Sequence, residues 1–216
     1  MKEARQHRFS PPPGAADLLL IRHGETQAAV RGESFPMVEG QGDPSLRPEG
    51  EEQALRVAER LKTEPIRAIY VTTMRRTHQT AAPLAAHLGL EPRVERDLRE
   101  VSLGEWDGGE YRFRAAGNDP AFLRARDEHE WGHIPGAETT AALQVRVRAG
   151  LMRIARAHAD ELVAVVVHGG VVGAALALAT GARGFAFNGA ANGSISRMVV
   201  HGEQMIVRGF NDVSHL

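Results

Sequence analysis

The sequence predicts an α/β fold of three layers, α/β/α, with a mostly parallel central sheet flanked by helices, as one domain over residues 17–216. Two short unbroken apolar runs, at 18–21 and 162–167, read as strands buried on both faces of a sheet. Segments with helical apolar spacing alternate with further short runs, the order that right-handed βαβ crossovers generate. With 216 residues, 43% of them hydrophobic and 25% charged, the chain can build one substantial core.

Each element follows from its own residues. In 1–16, Pro11, Pro12 and Pro13 forbid helix and ladder pairing, so a disordered N-terminal arm is expected, with structure starting near Asp17. Over 48–62, Ala54, Val57, Ala58 and Leu61 recur at helical spacing. Glu49, Glu51 and Glu52 come early and Arg56, Arg60 and Lys62 late, complementing the helix dipole. A strand at 68–71, a helix at about 75–88 and a strand at about 93–95 follow. Residues 101–137 break the pattern: Gly104, Gly108 and Gly109 are mixed with Trp106, Tyr111, Phe113, Phe122 and Trp131 among charges, as in a lid-like insertion with one helix. A long helix is expected over about 138–159, with Leu143, Val147, Leu151 and Ile154 on one stripe. The strand at 162–167, a small-residue helix from about 171, and strands near 195–200 and 205–210 complete the chain.

Composition narrows the function. A net charge of -1, without a long single-sign run, argues against nucleic acid as a partner. The absence of cysteine excludes disulfides, thiolate metal sites and a cysteine nucleophile. No apolar run suffices for a membrane span, so no membrane association and a cytoplasmic location are the expectations. Lysine occurs only at Lys2 and Lys62; the remaining basic residues are arginines, which suit bidentate phosphate contact.

Chemistry gathers at the predicted carboxyl ends of strands, where ligands sit in such sheets. The first run ends in Arg22-His23-Gly24, a tripeptide too common to carry an assignment alone. The run at 162–167 delivers His168 into Gly169-Gly170. After the strand at 68–71 comes Thr72-Thr73-Met74-Arg75-Arg76-Thr77-His78-Gln79-Thr80, which sets hydroxyls and arginines at a helix N-terminus suited to anions. Leu98-Arg99-Glu100, with Gly104-Glu105-Trp106-Asp107-Gly108 after it, adds a carboxylate at the end of a short strand.

Together these segments resemble the histidine phosphatase superfamily, in its phosphoglycerate mutase-like branch, in order and separation over residues 17–170. The resemblance implies a phosphoglycerate mutase-like fold and a metal-independent phosphatase without cofactor, acting on a small phosphorylated substrate. It implies that His23 becomes the phosphohistidine, that Arg22, Arg76 and His168 clamp the phosphoryl oxygens, and that Glu100 protonates the leaving alcohol. Two guanidinium cations beside His23 favour the neutral imidazole that attacks phosphorus. The family pattern carries Asn where this chain has Ala29; Thr26 and Arg31 are the candidates to compensate, with Gly169 as a further substrate contact. Arg75 stands beside Arg76, and the family register favours Arg76.

Three other readings compete: phosphoryl transfer of the phosphoglycerate mutase type, a non-catalytic phospholigand-binding module, and a zinc hydrolase built on His129-Glu130-Trp131-Gly132-His133. The last needs both histidines on one face of a helix, whereas Gly132 and Pro135 end one there. Lid duty, with Trp131, His133, Arg124 and Arg126 shaping access to the pocket, is the expectation for this segment. A sugar phosphate or another small anionic ester suits the mix of aromatics and arginines. The oligomeric state is left open, with a homodimer among the outcomes.

Overall fold

The computed structural model describes residues 6 and 8–216. Strand β1 (Ala16–Arg22) lies at the centre of a six-stranded sheet. Its neighbour β6 (Leu162–Val167) is parallel, as are β4 (Ile66–Val71) and β5 (Arg93–Val94) beyond it. On the other side run β7 (Ile195–His201) and β8 (Gln204–Asp212), paired antiparallel, so the order is β5-β4-β6-β1-β7-β8. The small hairpin β2 (Met37–Val38) and β3 (Gln41–Gly42), absent from the sequence expectation, stands apart from the sheet.

The pleat explains why the two central runs are apolar throughout. Leu18 and Leu20 of β1, with Val163, Val165 and Val167 of β6, face the core under α5 (Thr140–Ala157) and α6 (Gly169–Thr180). Leu19, Ile21, Ala164 and Val166 face the opposite core, under α1 (Pro48–Leu61) and α2 (Arg75–Leu88). A strand with helices on both sides has no polar face to offer.

Several boundaries differ from expectation. The arm is shorter than residues 1–16: Ala15 and Ala16 are buried, Ala16 opens β1, and Gly14 N–H donates to Asp160 Oδ1 at 2.6 Å. Residues 1–5 and 7 of that expected arm lie outside the described residues. The long helix starts at Thr140, because the Thr139 side chain accepts from Ala142 N and ends the extended segment there. Helix α6 begins at Gly169 instead of 171, with His168 as its N-cap residue and the two glycines forming its first turn.

The insertion contains two α-helices, α3 (Glu110–Ala116) and α4 (Pro120–Glu128), where one was expected. Asp119 caps Ala121 N and Pro120 occupies the first helical position of α4. The segment is also part of the core, since Trp106, Ala125, Trp131 and Ile134 join the cluster under α5 and α6. The metal-like pentad is not helical. His129 closes α4 in the left-handed conformation with φ 60°, and Trp131–His133 is a separate 3₁₀ turn. His129 Nδ1 accepts from Phe185 N at 3.2 Å while His133 Nε2 meets Glu128 at 2.6 Å. Among the described residues no three His, Asp or Glu side chains converge as metal ligands, and no helix is long and apolar enough to cross a membrane.

Candidate active site

Strands β4, β6 and β1 are adjacent and parallel, so the residues after them meet at one edge of the sheet. Arg22 ends β1 and His23 follows it, His168 follows β6, Thr72 and Arg76 follow β4, and Glu100 arrives from the loop after β5. A short 3₁₀ turn (Arg96–Leu98) carries Glu100, in place of the strand end expected. Of these residues, Arg22, His23, Arg76 and Glu100 line a cavity of about 770 Å³, whereas Thr72 and His168 are fully buried and do not line it.

His23 is 7% exposed, with its ring centroid 5.2 Å from that of His168. Its Nδ1 lies 2.7 Å from Gly24 O, which can only accept, so Nδ1 carries the proton and Nε2 keeps its lone pair. Burial first, then the nearby charges of Arg76 and Arg22, hold the His23 pKa well below the ordinary 6.5. The loop before β7 fixes the residue from behind: Asn192 Nδ2 donates to His23 O at 2.9 Å and Gly193 N to Arg22 O at 3.0 Å.

Both guanidiniums are anchored by main-chain oxygens. Arg22 Nη1 donates to Ala190 O, and its buried Nε has no protein partner among the described residues. Arg76 Nη1 donates to Gly42 O at 3.0 Å and lies 3.7 Å from the buried Asp43 carboxylate. Burial lowers the pKa of both. Arg75 turns the other way, to the surface, where its Nε meets Asp43 at 3.1 Å, so the register between the two arginines resolves to Arg76.

His168 is fully buried. Its Nε2 is 3.0 Å from Thr72 Oγ1, and its Nδ1 has no protein partner among the described residues. Desolvation, with Arg76 next, keeps its pKa well below 6.5. The Glu100 carboxylate accepts from Val101 N at 3.0 Å and from Gly170 N at 3.1 Å. Gly170 has to be small, because a Cβ there would lie 2.6 Å from Glu100 Oε1.

Of the remaining expected residues, Thr26 and Gly169 line the cavity. Arg31 does not: its guanidinium lies over the Phe113 ring, 4.9 Å from the centroid, an exposed cation attracted to a neighbouring ring face. Arg124, Arg126 and His133 are likewise away from the lining, paired with Glu128 and Asp127, whereas Trp131 forms part of the wall. Glu138 neither caps a helix nor lines the cavity; it binds Arg146 through both oxygens at 2.7 Å.

Sequence reasoning gave no specific site role to five contributors. Arg112 lines the same cavity as Ala29 and donates to Thr26 Oγ1 and Gln27 O, each at 2.6 Å. Tyr111 and Asn192 line the cavity, Gln41 Nε2 donates to Glu100 O at 2.7 Å, and Thr72 contacts His168. Only Thr72, just past a buried strand, carried a usable signal; the rest sit in segments without periodicity.

The comparisons with known proteins agree with this geometry. Phosphoglycerate mutase-like protein 4 of Arabidopsis thaliana is 35% identical over 160 residues, covering 73% of this chain and 68% of that protein. The metal-independent phosphoserine phosphatase of the same plant is 32% identical over 207 residues, covering 93% and 83%. The structure of mycobacterial glucosyl-3-phosphoglycerate phosphatase superposes with a TM-score of 0.77 at 28% identity, over 91% of this chain and 99% of that one. The model of the histidine phosphatase superfamily (branch 1) matches residues 18–213, nearly the whole of the chain whose sheet edge has just been described, and the protein therefore belongs to that superfamily.

Proposed function

We propose that this protein is a phosphomonoesterase that works through a phosphohistidine on His23. The observation that carries the reading is the state of the His23 ring: proton fixed on Nδ1 by Gly24 O, and Nε2 held neutral among guanidiniums. A phosphoryl dianion placed against Nε2 has Arg22 and Arg76 to neutralise charge spreading over its equatorial oxygens. His168 adds a donor. With the Thr72 hydroxyl donating to Nε2, the ring proton sits on Nδ1, the nitrogen that lacks a protein partner.

In the first step Nε2 bonds to phosphorus as the ester P–O bond breaks, and Glu100 gives its proton to the departing alkoxide. The Nδ1–H bond to Gly24 O stabilises the cationic phosphoimidazole. In the second step Glu100, now a carboxylate, takes a proton from water as the water oxygen attacks phosphorus, releasing inorganic phosphate and neutral His23. Several relatives are named as phosphatases and others as mutases. A mutase would return the phosphoryl group to a second hydroxyl.

Rapid quench in alkaline detergent with a ³²P-labelled monoester is the test. Acid-labile, alkali-stable label on the native chain, absent from His23→Ala, together with phosphate release, is the expected result. No label and unchanged turnover in His23→Ala would sink the covalent mechanism. Interconversion of phosphoglycerate isomers faster than phosphate release would give the mutase reading instead.

A further inference from the structure

We propose that the alcohol released at this site is uncharged and carries a ring, aromatic or sugar, and that carboxylate-bearing esters of the phosphoglycerate or phosphoserine kind are poor substrates. The inference rests on the phosphomonoesterase reading and concerns the part of the cavity beyond the phosphoryl group.

The cations of the cavity are concentrated at its phosphoryl end. Arg112 stands with Arg22 and Arg76 as a third guanidinium around His23, close enough that its charge also disfavours the imidazolium. It is locked there by Thr26 Oγ1, Gln27 O and the Phe35 ring, whose centroid lies 5.0 Å from its guanidinium carbon. It lines the same cavity as Ala29, the position at which the family pattern has an amide, and supplies a donor that the alanine lacks. Arg47, on the rim, is already matched by Glu25 at 3.0 Å and Glu49 at 2.6 Å.

The rest of the wall has a different chemistry. Leu103, Trp106, Tyr111, Phe113 and Trp131 line it, and the Tyr111 ring lies 6.4 Å from that of Trp106 and 6.2 Å from that of Trp131. Trp106 and Trp131 are held in the core cluster, and Tyr111 and Leu103 pack against it, so this part of the surface is already formed before a ligand arrives. Asp107, tied to Leu103 N at 2.9 Å, also lines the cavity, and its charge repels a carboxylate.

A substrate carboxylate placed against these rings would lose its water and meet no cation of the cavity lining, since Arg31 over Phe113 and Arg114 over Trp106 do not line the cavity and Arg114 is already paired with Glu110 and Asp119, so its burial is costly. A ring would gain apolar contact and stacking at no such cost. Size points the same way. Cavities of roughly 300–1,000 Å³ accommodate drug-sized ligands, and one of about 770 Å³ leaves a three-carbon ester mostly unsupported.

The test uses the full chain and four esters with alkoxide leaving groups, so that intrinsic reactivity does not decide the outcome: benzyl phosphate, glucose 6-phosphate, 3-phosphoglycerate and O-phosphoserine. Phosphate release should give kcat/KM at least about tenfold higher for the better of the two ring esters than for either carboxylate ester. Leu103→Arg, which puts a cation on the ring-lined wall, should raise kcat/KM for 3-phosphoglycerate at least threefold and lower it for benzyl phosphate. Trp131→Ala should raise KM for the preferred ring ester by a larger factor than for O-phosphoserine. Should that variant fail to fold, the native panel and Leu103→Arg still decide. Equal or faster turnover of either carboxylate ester overturns the substrate assignment and leaves the phosphatase reading intact. Absence of phosphate release and of phosphoenzyme with all four overturns both.

Discussion

Arg146 donates to the main-chain oxygen of Glu100 at 2.9 Å, tying the carboxylate assigned as proton donor to a helix that lines no part of the cavity. The same guanidinium reaches Asp97 O at 2.9 Å, Arg99 O at 2.6 Å and both oxygens of Glu138, so all five of its N–H donors are used. One planar fork fixes the path of the Glu100 loop.

Arg146→Ala therefore loosens the acid without touching substrate. We predict kcat for benzyl phosphate falling by about ten- to a hundredfold with KM within threefold, since positioned acid catalysis contributes ~10²–10⁴. The loss with 4-nitrophenyl phosphate, whose leaving group needs little protonation, should be several times smaller. A merely structural role would lower both rates alike. Leaving Glu138 unpaired should also cost on the order of 3 kcal/mol, read from urea midpoints.

Gly170→Ala and Gly24→Ala separate chemistry from folding. The first forces the flexible end of Glu100 aside and should lower kcat by about tenfold or more in a folded protein. The second drives a Cβ into the carbonyl of Gly50, backbone against backbone, and should lower the yield of folded chain. Circular dichroism and phosphate release on both variants check the pair.

Histidine titration follows the causes of the two low pKa values. In an NMR titration His23 should remain neutral on passing below pH 6.5, and Arg76→Gln should raise its pKa by removing a like charge. An unchanged His23 pKa in that variant would refute the electrostatic account.

Folding stability should carry the same signature. His23 and His168 have folded pKa values below their unfolded value near 6.5, so between the two the unfolded chain binds more protons. Their contribution is complete above that unfolded value and is lost as pH falls towards the folded values, at up to about 1.4 kcal/mol per pH unit for each ring. Urea melts at successive pH values should show this decline, and a shallower slope in His168→Asn.

Thr72→Val keeps shape but removes the hydroxyl on His168 Nε2. The expected result is about tenfold weaker vanadate binding, because the buried ring loses the partner that sets its tautomer. Thr72→Ser, which restores the hydroxyl, should recover most of it.

The sequence by itself determined the layers and the place in them of His23, the residue proposed as nucleophile. Short runs apolar at every position read as strands with cores on both sides, and the residues directly after such strands stand at the sheet edge; Arg22, His23 and His168 were legible for that reason. Helix α2, whose residues 75–88 are both the expected and the observed span, was legible from its periodicity and from Gly89, which ends it with φ 64°. The tertiary structure decided the rest. Adjacency of β4, β6 and β1 brings Arg76 and Thr72 to the histidines, and no local pattern encodes strand order. Arg112, Arg146, Gln41 and Asn192 act through contacts spanning 46 to 169 residues of chain. Periodicity reports what a segment does with its own neighbours, whereas these contacts exist only once the loops have been placed against each other.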